Sequence, residues 1–392
     1  MVRFIISLLS LAGFVAIAGM RVVDPLLPVI ATEFGVTIGA IGIVITAYSV
    51  PYGVFMLGYG PLGDRIGKLK VIAATLSIAA GCIFACGFAQ TVHGLALWRF
   101  FTGMTCAATI PLTLALIADH VEYSARQGAL ARYMSGVILG QIVGVGLGGL
   151  LSDAIGWRAV FWVFGGLTAI VAGLIGWGQR GYPHLAPPAV GLRSAFKRYW
   201  ALLRSAHARD VLTAVFVEGF FMFAGIAYIG AMLHQRHGLR MSVVGLFLVC
   251  IGLGSLSYSA CVKWLVRRLG TRLMMILGGL TVAQAFMVLA VSPVAWICAP
   301  ALYALGFGLY LMHNTLQTLA TELAPEARGT AVSLFVFMLF GGQGLGAWVL
   351  GRVIDRVGYT PTFSIVGVAL GLLGLWMQKS PSLGPRQRER AG

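Results

Sequence analysis

Charge is what this sequence has least of. Only 10% of its 392 residues are Asp, Glu, Lys or Arg, against about 25% in a soluble domain. Acids are the scarcer sign, with 12 Asp and Glu. Apolar residues make up 59% of the chain and the mean hydropathy is +0.90, more apolar surface than any fold can hide from water. A soluble enzyme, a disordered chain and a fibrous repeat are therefore excluded, and a chain dissolved in a bilayer remains. Cysteine is also sparse. Cys82, Cys86, Cys106, Cys250, Cys261 and Cys298 lie in or beside apolar stretches, without paired spacing in a polar loop. Neither a disulfide framework nor a zinc site is expected. His234 and His237 have weak metal spacing and no carboxylate beside them, so no metal is assigned. No nucleophile–base pair, HExxH or phosphate loop occurs, so no enzyme chemistry and no cofactor is implied.

What is present is a series of apolar runs. A helix needs roughly 20 apolar residues to cross a bilayer. Twelve runs qualify, at about 5–31, 38–60, 70–89, 94–118, 129–152, 158–178, 211–233, 242–264, 272–292, 294–319, 330–353 and 359–378. They are continuous and not alternating, which argues against a barrel. The first run imitates a signal peptide, with Arg3, an apolar stretch and Ala16-Ile17-Ala18. It continues past that point, and the repeat described below needs it as a helix. The longest polar stretch, Gln179 to Asp210, contains Pro183, Pro187 and Pro188. The expected fold is an all-α membrane protein with twelve transmembrane helices in two pseudo-symmetric six-helix bundles, residues 1–178 and 211–378. Residues 179–210 form a linker and 379–392 a tail.

The net charge of +16 is explained by topology. With both termini on the cytoplasmic side, 21 of the 28 Lys and Arg fall on cytoplasmic segments, as the positive-inside rule requires. Five fall opposite (Arg158, Arg236, Arg240, Arg352, Arg356), and Arg21 and Arg99 lie within the membrane. No nucleic-acid partner is needed. Lys197, Arg198 and Arg204 are placed to touch anionic headgroups. The halves also repeat. A shift of 202 puts Arg126 on Arg328, Gln141 on Gln343 and Asp153 on Asp355. Two six-helix halves in parallel repeat form a transporter architecture with a midplane site at their interface.

Between the second and third runs stands Gly60-Pro-Leu-Gly-Asp64-Arg65-Ile-Gly67-Lys68. This segment resembles the signature loop of the major facilitator superfamily, G-x-x-x-D-R-x-G-R/K, and the resemblance spans essentially residues 1–378. It implies that Asp64 faces the N-terminus of helix eleven, near Gly329 and Thr330, where a helix dipole favours an anion. Arg65 would pair with Asp119. These contacts would latch the halves in one state and release them in the other. A shift of 203 yields a decayed copy, with Arg268 on Arg65, Glu322 on Asp119, and Arg267 where the acid should be. Helix five carries Gly136, Gly140, Gly144 and Gly148 at four-residue spacing, one face of bare backbone suited to tight packing. The run resembles the family's antiporter motif, with Val145 in place of its proline. Gly156-Trp157-Arg158 followed by Phe161 is typical of the bacterial drug and sugar efflux group.

Charges inside the membrane are the sharpest functional signal, because each costs some 2.5–3.5 kcal/mol on insertion scales. Arg21 and Asp24 share a face of helix one before Pro25 and Pro28, and Arg99 lies in helix four at similar depth. A carboxylate between two guanidiniums is a poor proton carrier until a helix movement withdraws one of them. Arg99 also matches the family's helix-four arginine. Glu218 in helix seven has no basic residue near it in that helix, which makes it the preferred proton-carrying group. His313, Asn314 and Gln317 in helix ten, Tyr48 and Tyr52 in helix two, Gln141 and Gln343 are the remaining cavity candidates. Phe220, Phe221, Met222, Phe223 and Tyr228 would supply aromatic walls.

These features lead to a secondary transporter that moves a small organic solute by alternating access across the cytoplasmic membrane. Proton-coupled efflux (antiport) by a monomer is the leading form. An uptake symporter or uniporter is the alternative that Val145 keeps open. A membrane sensor would need a signalling domain, and no soluble domain is present. Apolar walls suit neutral or cationic solutes, whereas Arg21 and Arg99 suit anionic ones.

Overall fold

The computed structural model describes residues 2–179, 192–324 and 328–379. The first part of the linker and nearly all of the tail, residues 180–191 and 380–392, lie outside the described residues. Those described are helical, with no strand among them. The spans are α1 (Phe4–Phe34), α2 (Ile38–Ile66), α3 (Lys68–Cys86), α4 (Val92–His120), α5 (Ala125–Ile155) and α6 (Trp157–Gly178). The second half begins with α7 (Ala206–His237). A 51-residue helical stretch, Met241–Val291, follows. At 1.5 Å per residue it would be roughly 75 Å long, more than twice a bilayer core. It breaks at Gly270, whose φ of 66° is non-helical, and so makes two crossings, α8 (241–269) and α9 (271–291). The last spans are α10 (Ala295–Glu322), α11 (Gly329–Val357) and α12 (Tyr359–Met377). Among the described residues eleven apolar helical stretches thus make the twelve crossings expected.

The duplication is visible in the backbone. Among the described residues six glycines have positive φ, and they form three pairs at an offset of 202 or 203. Gly35 and Gly238 stand at 64° and 65°, Gly67 and Gly270 at 105° and 66°, and Gly156 and Gly358 at 81° each. Corresponding turns therefore sit at corresponding places in the halves. Lys68 and Lys70 follow the turn at Gly67, and Arg126 opens α5 on the same side; this side is called the basic face. The turns at Gly35, Gly156, Gly238 and Gly358 lie on the opposite face.

Within each half, glycine sets the closest helix packing. Gly136, Gly140, Gly144 and Gly148 of α5 lie on the backbone carbonyls of Ser10, Phe14, Ala18 and Val22 of α1. Each successive contact advances four residues on both helices. In the second half Gly342 and Gly346 of α11 lie on the carbonyls of Phe216 and Phe220 of α7, which are residues 14 and 18 shifted by 202. A methyl group at any of these positions would run into backbone. Such approach replaces the hydrophobic drive that lipid cannot supply between helices.

The linker contains a helix that the sequence reading left undefined. Leu192–Arg204, here the bridging helix, is amphipathic. Tyr199 packs in a small core with Leu57 of α2, Ala208 and Leu212 of α7, and Leu334 and Phe337 of α11. Its hydroxyl donates to the Leu57 carbonyl at 3.3 Å, and burial raises its pKa above the ordinary tyrosine value. Trp200 is exposed, with the Arg204 guanidinium 5.3 Å from its ring centre.

Two adjacent glycines test the packing account. Gly342 abuts the Phe216 carbonyl, whereas Gly341 has open space where a Cβ would be. Gly341→Ala should stabilise by up to about 1 kcal/mol through helix propensity, and Gly342→Ala should destabilise by about 1–3 kcal/mol through overpacking. Thermal unfolding in detergent should shift in opposite directions for the two variants.

Candidate functional site

A cavity of about 540 Å³ lies between the halves. Its deep end holds Arg21 and Asp24. Met134, Leu114, Gln317 and Val332 line it toward the basic-face ends of α5, α4, α10 and α11. Met134 is exposed, so the cavity opens toward that face. Of the sequence candidates, Tyr52, Gln141, His313, Asn314 and Gln317 line it. Tyr48 and Gln343 do not; they line a pocket of about 10 Å³ with Arg21, Asp24 and Arg99, a volume near that of one water. Tyr48 is drawn there by Arg99, whose guanidinium lies 4.3 Å from its ring centre. Among the aromatic candidates Phe223 reaches the cavity. Phe220 instead packs on α11, and Tyr228 is buried with its hydroxyl donating to the Ala347 carbonyl at 2.5 Å.

The expectation of one carboxylate held by two arginines is corrected. Arg21 Nη1 lies 3.4 Å from Asp24 Oδ2, but Arg99 bonds elsewhere. Its Nη1 donates to the Gly19 carbonyl at 2.8 Å and its Nη2 to the Met20 carbonyl at 3.1 Å. The reason is the break in α1. Regular helix ends at Arg21 and a 3₁₀ turn follows at Asp24–Leu26. Pro25 has no N–H to continue the ladder, and the last carbonyls of a helix lack partners. Arg99, 1% exposed, supplies the missing donors.

Glu218 is fully buried. Its Oε2 lies 3.1 Å from His313 Nδ1, and its Oε1 has no partner. A π-helical turn, Gly219–Phe223, begins at the next residue. Phe223, at its end, places its ring centre 5.5 Å from that of His313 and 5.7 Å from the Arg21 guanidinium. The acid and the imidazole are 95 positions apart, so only the fold could reveal their contact.

The latch residues are arranged differently from the family expectation. Lys68, not Arg65, reaches Asp119, with Nζ 2.7 Å from Oδ2. The same ammonium lies 2.8 Å from Asp64 Oδ1. The sharp turn at Gly67 aims the first side chain of α3 between the two carboxylates, while Arg65 makes no ion pair among the described residues. Nor does a hydrogen bond join Asp64 to Gly329 or Thr330. There the bridging helix fills the wedge between α2 and α11. Gly60 and Gly329 both have open space around them, so neither serves close packing. In the second half no ion pair joins Arg268 to Glu322.

The opposite face is closed by a pair of contacts whose role the sequence did not disclose, although its repeat marked both residues. Asp153 at the end of α5 accepts from the N–H groups of Met241 and Ser242 at the start of α8, at 3.3 and 2.7 Å. Asp355 at the end of α11 accepts from the Gly39 N–H at 2.9 Å and the Thr37 hydroxyl at 2.6 Å, at the start of α2. Each carboxylate of one half thus caps a helix of the other, where the helix dipole favours negative charge. Gly149 lies against Met241, and Gly351 against Gly39, so the backbones meet directly. Beside this closure Glu33 accepts from both Trp157 and Arg158, which ties α1 to α6.

The comparisons agree with this architecture. The sequence model of the Major Facilitator Superfamily matches residues 9–347, and the chain belongs to that superfamily. It is a multi-pass membrane transporter and not an enzyme. It is 24% identical over 331 residues to an uncharacterized MFS-type transporter, YceJ, of Bacillus subtilis (strain 168), covering 84% of this chain and 83% of that protein. It is 23% identical to a probable sugar efflux transporter of Helicobacter pylori (strain HPAG1), covering 94% of this chain and 93% of that one. Its fold is shared with the nucleoside transporter NupG, at a TM-score of 0.78 and 14% identity, covering 96% of this chain and 98% of that one.

The paired caps carry a direct test. Each exposed carboxylate cap should hold the closure by about 1 kcal/mol, roughly fivefold in population. In a cysteine-free background with Val36→Cys as reporter, an impermeant maleimide applied from the opposite face should label Asp153→Asn and Asp355→Asn several-fold faster. The double variant should be faster still, and unchanged labelling in all three would contradict the role.

Proposed function

We propose that this transporter exports a small organic solute across the bacterial cytoplasmic membrane in exchange for protons. The basic face is the cytoplasmic one and carries both termini, as the Lys and Arg distribution supports. The observation that carries the reading is the cavity between the halves. It opens on the basic face, is sealed opposite by the two aspartate caps, and has Asp24 at its deep end, with a second buried carboxylate, Glu218, behind His313 of its wall. A solute entering from the basic face would bind between Gln141 of one half and His313, Asn314 and Gln317 of the other. Breaking the caps while the basic-face ends approach each other would expose it to the far side. Residues 1–178 and 211–378 act as the moving bodies, and the signature loop with Asp64, Lys68 and Asp119 steadies the basic face.

The solute is read as neutral or weakly polar. The ionisable groups around the cavity already face partners, Arg21 with Asp24 and His313 with Glu218, and most of the remaining wall is aliphatic or aromatic. The sugar efflux relative and the nucleoside transporter of like fold place hydroxylated, uncharged molecules first in a trial panel. The test is flux in proteoliposomes with radiolabelled sugars, nucleosides, organic acids and cationic drugs. Solute should move against an imposed pH gradient, with protons passing the other way. Reversing the gradient should reverse the sign of the response. Movement of solute and protons in the same direction would make the protein a symporter, and flux indifferent to pH would make it a uniporter.

A further inference from the structure

We infer that the proton is carried by the His313–Glu218 pair, with His313 as its entry and Glu218 as its store, and not by Asp24. The inference rests on the proposed proton coupling and narrows it from two carboxylates to one. Glu218 has no exposed surface, so a proton from cavity water cannot reach it directly. His313 lines the cavity and meets Glu218 Oε2 through Nδ1 at 3.1 Å. The second oxygen of Glu218 is buried without a partner, a costly state for a carboxylate and a tolerable one for a carboxylic acid. Asp24 is set differently. It lines the cavity itself, and one of its oxygens faces Arg21 at 3.4 Å, so it needs no relay and already has a cation as partner.

The step balances without any further reactant. Cavity water delivers a proton to Nε2 of His313, and the Nδ1 proton passes to Glu218 Oε2. The ring is left neutral with its hydrogen on Nε2, and the pair as a whole has gained one proton. Release runs the same path backward. The other titratable groups around the pair are few. From α10 there is Tyr310, and from α1 Arg21 and Asp24 across the Phe223 ring. From α8 there is Tyr258, while α11 contributes the neutral carboxamide of Gln343. α12 carries only Tyr359, at its opposite-face end.

The same geometry couples the proton to the helices. Phe223 lies between His313 and Arg21, and a cation near a ring face is attracted to it. An imidazolium at His313 competes with Arg21 for that ring. The ring stands at the end of the π-helical turn that begins beside Glu218, and π-turns often mark functional adjustment within a helix. Gly219 in this turn rests on the Leu339 carbonyl of α11. A change in the pair is therefore passed both to α1 and to α11, the two helices that border the broken end and the closure.

Infrared difference spectra of the purified protein in nanodiscs, titrated with protons alone, test this without any solute. The unaltered protein should show the carbonyl band of a buried carboxylic acid. That band should be lost in Glu218→Gln, displaced along the pH axis in His313→Gln, and kept in Asp24→Asn. With Met134→Cys as reporter in a cysteine-free background, the maleimide labelling rate divided by that of the denatured protein at the same pH should vary with pH in the parent and become flat in Glu218→Gln. A band that persists in Glu218→Gln, a band lost in Asp24→Asn, or no band in the unaltered protein overturns the inference. If the band behaves as stated while solute flux ignores pH gradients, the proton site stands and the export reading falls.

Discussion

The bonds between Arg99 and the carbonyls of Gly19 and Met20 are the interaction on which the rest depends. Helix one cannot continue through Pro25, and its broken end leaves carbonyls that lipid cannot satisfy. A guanidinium from helix four makes the break tolerable, at 2.8 and 3.1 Å. The break then turns Asp24 and Arg21 toward the centre of the molecule, where they form the deep end of the cavity. An arginine buried to 1% exposure would be hard to explain as a mere ion-pair partner. As the donor set for a helix terminus it is indispensable, and it fixes the shape of the N-terminal half around the site.

The remaining architecture follows from how rigid halves are made in lipid. Glycine lets α5 lie on α1 and α11 lie on α7 with backbone against backbone. Each half is thereby stiff along the helices that face the cavity. Between halves the contacts are divided by face. On the opposite face glycine backbone contacts, Gly149 on Met241 and Gly39 on Gly351, are joined by hydrogen bonds to exposed carboxylates, and on the basic face the cavity separates the walls. Close packing along each half, with a closure confined to one face and a cavity at the other, is what a rocking movement requires.

Much of this was legible in the sequence. Runs of apolar residues gave the spans, and the 202-residue offset marked the halves, because duplicated backbone demands the same turn glycines and the same helix-end acids. Arg21, Asp24, Arg99 and Glu218 stood out because charge is so rare here. Their partners did not. The signature loop suggested Arg65 for Asp119, but the turn at Gly67 aims Lys68 there instead, and one-residue differences of that sort are set by turn geometry. Arg99 bonds to backbone, which every residue possesses, so only Pro25 hinted at the need. His313 and Glu218 lie on different helices, and the π-turn after Glu218 leaves no mark in composition. The bridging helix was hidden for a simpler reason, since its amphipathic pattern is embedded in a Pro-containing basic stretch that reads as linker.

Alternating access by two rigid halves is tested most directly by paired distance measurements with electron spin labels. One pair would sit at the exposed positions Ile66 and Val266 on the basic face, and the other at Ile155 and Val357 opposite. Recorded across a pH titration in nanodiscs, the first distance should shorten as the second lengthens, with the two populations exchanging in step. Distances that stay fixed, or that lengthen together, would contradict the account.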